Sequence, residues 1–157
     1  MMNRTDKENY ITGCISLISN KMTLFGDEIL PDITYKQWFL LMMISRMDIE
    51  EKNLNRIAEF VGTTRQNIKK MLVPLERKGY VRIMKSDSDA RALRVELTDK
   101  TYQYFSEHDA STANETNKLF APFSPKELDS LIYSLKKLLC CFELYDEEKA
   151  QEEASRQ

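Results

Sequence analysis

Long apolar runs are missing from this sequence. The longest, WFLLMMI from Trp38 to Ile44, is followed at once by Ser45 and Arg46, whereas a membrane-spanning helix needs about 20 predominantly apolar residues. The opening residues, MMNRTDKENY, also lack the apolar stretch of a signal peptide. We therefore expect no membrane segment and a cytoplasmic location.

Cysteine and histidine are also scarce. The three cysteines are an odd number, and Cys140 and Cys141 are adjacent, so a disulfide between them would be strained. This pattern argues against a secreted disulfide framework and favours reduced thiols. The single histidine, His108, has Asp109 beside it but no further ligand at metal-binding spacing. We therefore expect no metal and no cofactor, and we find no catalytic arrangement typical of an enzyme.

Positive charge is scarce overall but concentrated in one segment. The chain has 157 residues, 42% of them hydrophobic, and a net charge of −2, which suits one core, with or without an oligomer interface. Residues 64–94 contain nine basic and three acidic residues, a net charge of +6, so the remainder carries −8. Such segregation creates the positive field that phosphate binding needs, although a solvated helix face would also explain the lysines.

Capping patterns predict where the first two helices begin. Thr5 with Glu8 forms a capping box that opens a first helix, in which apolar residues recur at helical spacing. Thr34 with Gln37 opens a second helix around WFLLMMI, and the polar RMDIEEKN segment follows as its end and a loop.

Two further helices follow, joined by a tight turn. Asn53 caps LNRIAEFV, which Gly62 ends. Thr63 or Thr64 then caps RQNIKKMLVPLERK, which ends at Gly79. Two helices joined in this way form a helix-turn-helix.

The residues after this unit change in period. YVRIMK and LRVELT alternate apolar and polar residues on either side of the polar SDSDARA, which predicts a β-hairpin. A helix-turn-helix followed by such a hairpin is a winged helix, whose wing can reach an adjacent minor groove.

The C-terminal part is predicted to form two long helices. Thr98 is predicted to cap a helix that runs to about Leu119, and the SPKE pattern places the N-cap of the last helix at Ser124. An apolar stripe follows from Leu128 onward, and beyond Glu143 we expect the acid-rich end to fray.

This order of elements resembles the MarR family of bacterial transcriptional regulators, over about residues 10–142. The specific matches are LERKGYV and the wing sequence DAR followed by VELT. The resemblance implies an obligate homodimer with intertwined first and last helices, binding a pseudo-palindromic operator. Two features depart from the family pattern: Pro74 lies inside the recognition helix and should bend it, and Lys100-Thr101 replaces a glycine usual after the wing.

The expected fold class is mainly α with a small β-wing, a winged helix-turn-helix plus long N- and C-terminal dimerisation helices. Residues 1–33 form the N-terminal helix of the dimerisation region, 34–98 the DNA-binding winged helix, 99–145 the C-terminal dimerisation helices, and 146–157 a frayed acidic tail. The apolar sides of the first and last helices exceed what one small winged helix can cover, which independently predicts a homodimer.

The recognition helix supplies the predicted contacts with double-stranded DNA. Helical spacing turns Ile68, Met71, Leu72 and Leu75 inward and Val73 outward. Gln66 can pair with adenine, and Lys70 with guanine or phosphate, although Gln66 and Asn67 also fit as hydrated first-turn residues. The predicted contacts of this helix are Thr64, Arg65, Gln66, Asn67, Lys69 and Lys70.

The wing is predicted to contribute Lys85, Asp89, Arg91 and Arg94. Arg91 suits the narrow minor groove and its potential. An acid would be costly as a DNA contact, so Asp89 is expected to orient Arg91 or another arginine through an ion pair, as the family resemblance also implies.

A small-molecule or oxidant effector of unknown identity is expected near Cys14, Tyr35 and Trp38. Cys14 fits simple packing in the first helix, but a branch of the resembled family uses a first-helix cysteine as a peroxide sensor. A reactive thiolate there would need a nearby donor such as Tyr10 or Tyr35. Tyr35 and Trp38 could line a ligand pocket, or they could belong to the core.

These features predict a homodimeric, sequence-specific DNA-binding regulator, a repressor released by a small ligand or oxidant. The alternative is a winged-helix dimer that binds another protein and not DNA. The basic face favours the first, because a protein-binding face would carry exposed aromatics and methionines in place of lysines.

Overall fold

The computed structural model describes residues 2–49, 51–85 and 93–155. It confirms the predicted fold class, mainly α with a small antiparallel β-wing. The described elements are α1 (Arg4–Ile29), α2 (Tyr35–Arg46), α3 (Leu54–Val61), α4 (Arg65–Arg77), β1 (Val81–Lys85), β2 (Leu93–Leu97), α5 (Asp99–Phe120) and α6 (Pro125–Ala154). The chain divides into two compact units, residues 1–113 and 114–157.

Four of the predicted N-caps are confirmed. The side chains of Thr34, Asn53, Thr64 and Ser124 each accept a hydrogen bond from a backbone N–H in the first turn of the helix that follows. Local side-chain chemistry alone determines these starts, since each cap satisfies backbone donors that the helix leaves free.

The predicted start of α1 is wrong. Asn3, and not Thr5, is the N-cap, and it forms a capping box with Asp6. Asparagine is among the best N-cap residues, and Glu8 is instead engaged with Arg4, whose Nε lies 2.8 Å from the Glu8 carboxylate. The N-cap therefore lies two residues earlier than the sequence pattern predicts.

The two C-terminal helices also differ from prediction. Thr98 precedes α5, but its hydroxyl donates to the Gly79 carbonyl at 2.7 Å, so its proton is used across the fold and not within the helix. Helix α6 continues to Ala154, past the point where fraying is expected, because its acid-rich end also contains strong helix formers such as alanine, lysine and glutamine.

The core of the first unit lies between α2, α3, α4 and the hairpin. Fully buried side chains from each helix meet there, together with Tyr80, Val81 and Val95 of the hairpin region. The strands pair antiparallel with Val81 opposite Leu97 and Ile83 opposite Val95. The Val95 N–H also donates to the Lys52 carbonyl at 2.9 Å, which anchors the wing to the loop before α3. This packing sets the position of α4 relative to the wing.

Helices α1 and α2 approach closely at Gly26. A Cβ atom at this position would lie 2.7 Å from Cβ and 2.5 Å from Cγ of Tyr35, closer than real Cβ contacts. The tyrosine ring therefore packs directly on the α1 backbone, and a glycine is needed there.

Helix α6 of the second unit has no buried residue within the single chain. Its predicted apolar stripe is exposed, and Cys140 and Cys141 are exposed with it. Among the described residues, no helix is both long and apolar enough to cross a membrane.

Candidate nucleic-acid interface

A tight glycine turn sets the start of α4. Gly62 has a φ of 72°, in the left-handed region that favours glycine, and its N–H donates to the carbonyls of Ala58 and Glu59. Thr64 then caps α4 by accepting the Asn67 N–H at 3.2 Å. The first turn of α4 consequently presents a capped, solvent-facing helix N-terminus, where backbone donors favour phosphate.

Helix α4 has one buried side and one exposed side. Ile68, Leu72 and Leu75 are fully buried, and Met71 is partly buried. All six residues predicted to contact DNA are exposed: Thr64, Arg65, Gln66, Asn67, Lys69 and Lys70. Val73, predicted to face outward, is half-buried. The helix continues through Pro74, whose carbonyl accepts the Lys78 N–H at 3.1 Å.

The Asn67 side chain is oriented by a contact that the sequence does not reveal. Its Nδ2 donates to the Thr63 hydroxyl at 3.2 Å, across the glycine turn. One amide donor is therefore occupied, while the residue stays exposed beside Gln66.

Positive charge is exposed from α4 into the wing. Besides the lysines and arginine of the first two turns, Arg77, Arg82 and Lys85 are exposed. Glu76 is an acid in this stretch, and its carboxylate accepts the Ile83 backbone N–H at 3.0 Å. This carboxylate thereby joins the end of α4 to the wing strand.

Lys78 differs from the other basic residues of this segment. Its Nζ donates to the backbone carbonyl of Asp32 and lies 3.2 Å from the Asp32 carboxylate. The Tyr80 hydroxyl donates to the same carboxylate at 2.6 Å. These contacts, with the Tyr80 bond first and Lys78 second, lower the pKa of Asp32, while burial and then the Asp32 bond raise the pKa of Tyr80.

The predicted wing residues are only partly described. Lys85 is exposed at the end of β1. Arg94 is half-buried, and its guanidinium lies 3.2 Å from the Glu96 carboxylate, so it contributes to the wing's own structure. Asp89 and Arg91 lie outside the described residues, and their predicted roles stay predictions.

The predicted effector residues lie in different surroundings. Tyr35 lines a cleft of about 750 Å³ between α1, α2 and α4, which Asn67 and Lys70 also line. Trp38 stacks on Tyr35 with ring centroids 5.7 Å apart, but it lines a second cavity of about 280 Å³ with Arg46.

Cys14 lines neither of these two cavities. It is half-buried on α1. A hydrogen bond with the Cys14 sulfur and the charge on that sulfur raise the pKa of Tyr10, one turn earlier. Of the two tyrosines that could donate to this thiol, the structure therefore places Tyr10 beside it.

Comparison with known proteins agrees with this geometry. The family of winged helix DNA-binding domains matches residues 33–101. The transcriptional regulator BldR from Sulfolobus solfataricus is 22% identical over 88% of this chain and 99% of that chain, with a TM-score of 0.76. A mutant MarR from E. coli, solved in complex with operator DNA, is 21% identical over 88% and 99% of the two chains, with a TM-score of 0.74. The S. aureus MepR–DNA complex is 22% identical over 83% and 96%, with a TM-score of 0.71. At these identities the structural likeness establishes a common fold.

Proposed function

This chain is a winged-helix protein with the MarR-type fold, and on that premise we propose that it is a sequence-specific DNA-binding transcriptional regulator. The family resemblance expected from the sequence is confirmed at the level of domain and fold.

One observation carries this proposal: α4 packs one side into the core and exposes all six predicted DNA contacts on the other. Arg65, Lys69 and Lys70 are suited to phosphate oxygens, and the capped helix N-terminus adds backbone donors. The Gln66 amide matches the donor and acceptor of an adenine edge in the major groove. Phosphate contacts would set the register, and Gln66 would supply sequence preference.

The regulator is proposed to act as a homodimer. Large apolar side chains are exposed along both α1 and α6, including Ile15 and Ile18 on the first and Ile132, Leu135 and Leu139 on the second. A monomer rarely exposes so much apolar surface. A second copy related by a two-fold axis would cover it and would present two winged helices to a pseudo-palindromic operator.

Release by an effector is proposed through the cleft that Tyr35 lines. The same cleft includes Asn67 and Lys70, which lie on the predicted DNA-reading face. A small molecule bound there would compete for these side chains or shift α4, so its binding and DNA binding would oppose each other. Repression follows if the occupied operator overlaps a promoter, since the bound dimer then excludes polymerase.

The direct test is selection of bound sequences from a random DNA pool. We expect an enriched palindrome. Recovery of no sequence preference by a folded dimer would favour the protein-interaction alternative.

Two variants then separate the roles within α4. Lys70→Ala should weaken binding to selected and random DNA alike and lower the salt slope by about one for each phosphate that a subunit no longer neutralises. Gln66→Ala should relax preference inside the half-site by roughly 1–3 kcal/mol with little change in salt slope. Lys149→Ala, an exposed lysine near the end of α6, is the control and should leave both quantities unchanged. Unaltered binding by both α4 variants would contradict the proposed reading face.

A further inference from the structure

The connector between α1 and α2 contains an unusual backbone conformation at Asp32. Its φ is 67°, and among the described residues it is the non-glycine residue with a positive φ. Aspartate tolerates this left-handed region better than most residues, but the conformation is still uncommon outside glycine. Something in the surrounding structure must therefore favour it.

The contacts of Asp32 converge on the end of the recognition helix. Lys78 and Tyr80, on either side of Gly79, both donate to Asp32, and 46 and 48 residues respectively separate them from it in the chain. The Tyr80 hydroxyl bond is 2.6 Å long, and the Lys78 ammonium reaches both the carboxylate and the backbone carbonyl of Asp32. We name these three residues the Asp32 clamp.

The opposite side of the same turn is held by the start of α5. The Lys100 ammonium donates to the Lys78 carbonyl at 2.7 Å and lies 4.4 Å from the centre of the Tyr80 ring. The Thr101 hydroxyl donates to the Tyr80 carbonyl at 2.5 Å. Tyr80 itself is only 2% exposed. The end of α4 is thus fastened to α5 on one side and, through Asp32, to the α1–α2 connector on the other.

Small rotations at this end become large displacements at the DNA-facing end. Helix α4 has 13 residues and is about 20 Å long at 1.5 Å per residue, so a rotation of about 5° about its last turn moves its first turn by about 1.7 Å. Base-edge hydrogen bonds require distances within a few tenths of an ångström, so such a displacement would break them.

We infer that Asp32 is a positioning residue for the recognition helix: its carboxylate holds the Lys78–Tyr80 turn against the α1–α2 connector and thereby sets the angle at which α4 meets DNA. This inference rests on the proposed DNA-binding function. It also assigns Lys78 to a structural role, as a cation that orients the helix, and not to a DNA contact.

The test compares Asp32→Asn with Asp48→Asn. Both variants remove one carboxylate charge, but Asp48 is exposed after α2 and makes no side-chain hydrogen bond or ion pair in the described part of the chain. Charge alone predicts that either variant binds DNA equally well or more tightly, because a repulsive negative charge is removed. Positioning predicts the opposite sign for Asp32→Asn alone.

We expect the Kd of Asp32→Asn for the palindrome selected by the wild-type protein to rise roughly three- to tenfold, as the competent orientation becomes a fraction of the population. The salt slope should stay unchanged, since no phosphate contact is removed. Tyr80→Phe, which removes only the hydroxyl, should shift Kd in the same direction, and the double variant should show less than the combined effect. Binding as tight as that of wild type in both single variants would overturn the inference.

Amide hydrogen exchange without DNA separates this inference from the proposed function. The amides of Gly79, Tyr80 and Val81 should exchange faster in Asp32→Asn than in wild type or Asp48→Asn. If exchange is unchanged, the clamp does not hold the turn and the inference fails, whatever the DNA results. If wild type itself binds no DNA, the proposed function fails, and faster exchange would still establish the clamp as a structural fastening.

Discussion

Replacing Gly26 with alanine tests how tightly α1 is held against α2, next to the connector that carries Asp32. The added Cβ would lie 2.5 Å from Cγ and 2.7 Å from Cβ of Tyr35, where ordinary contacts begin at 3.4 Å. Tyr35 is held in place, because its N–H donates to the Asp27 carboxylate at 2.6 Å and its ring stacks on Trp38. The two helices must therefore separate by several tenths of an ångström or more.

Two effects of opposite sign determine the size of the change. Overpacking in a tight contact costs about 1–3 kcal/mol, whereas alanine in place of glycine inside a helix stabilises by about 1 kcal/mol. Gly13 provides the control, because it lies in the same helix and an added Cβ meets no atom within 4 Å. Gly13→Ala should therefore be neutral or stabilising, and Gly26→Ala should be less stable than Gly13→Ala by about 1–3 kcal/mol.

Urea unfolding of both variants and wild type at one protein concentration measures this difference, with unchanged m-values as the sign that the unfolded states are comparable. Equal free energies of unfolding for the two alanine variants would refute the reasoning, because the Tyr35 contact would then be easily relaxed.

Four further outcomes are expected. Arg91→Ala should cost roughly 1–3 kcal/mol per half-site, concentrated at the flanking A·T pairs that a minor-groove arginine would read; equal weakening on all sequences would argue for a phosphate contact instead. Cys14→Ser should keep DNA binding but abolish its loss on peroxide treatment, and undiminished peroxide sensitivity would remove the redox hypothesis. Leu135→Glu should shift light scattering from twice the chain mass toward 18.4 kDa, since a charge would be buried in the proposed dimer. The Asp32 pKa is lowered from 3.8 in the folded state, so its stabilisation is present above that pH and is lost as pH falls through the lowered value; the stability gap between wild type and Asp32→Asn should narrow below about pH 4.

Local patterns are reliable where a few neighbouring residues decide the outcome. The caps at Thr34 and Ser124 and the left-handed glycine at Gly62 depend on groups within about three residues, and all are as predicted. The error at the start of α1 arises because two overlapping capping boxes compete there, and spacing alone does not rank Asn3 above Thr5.

The exposed face of α4 can also be predicted, because its buried residues recur at the helical period. What cannot be predicted is how individual polar groups on it are engaged. Asn67 bonds to Thr63, and Lys78 is directed to Asp32 and not to solvent-facing phosphate sites.

By itself, the sequence determined the element order, the winged helix and the basic reading face, since hydrogen-bond caps and the hydrophobic period act over one or two turns of chain. Only the tertiary structure decided which donors meet across the fold: Asp32 with Lys78 and Tyr80, Thr98 with Gly79, and Gly26 against Tyr35. Such pairs depend on how packed elements orient side chains that are far apart in the chain, and no local pattern encodes that geometry.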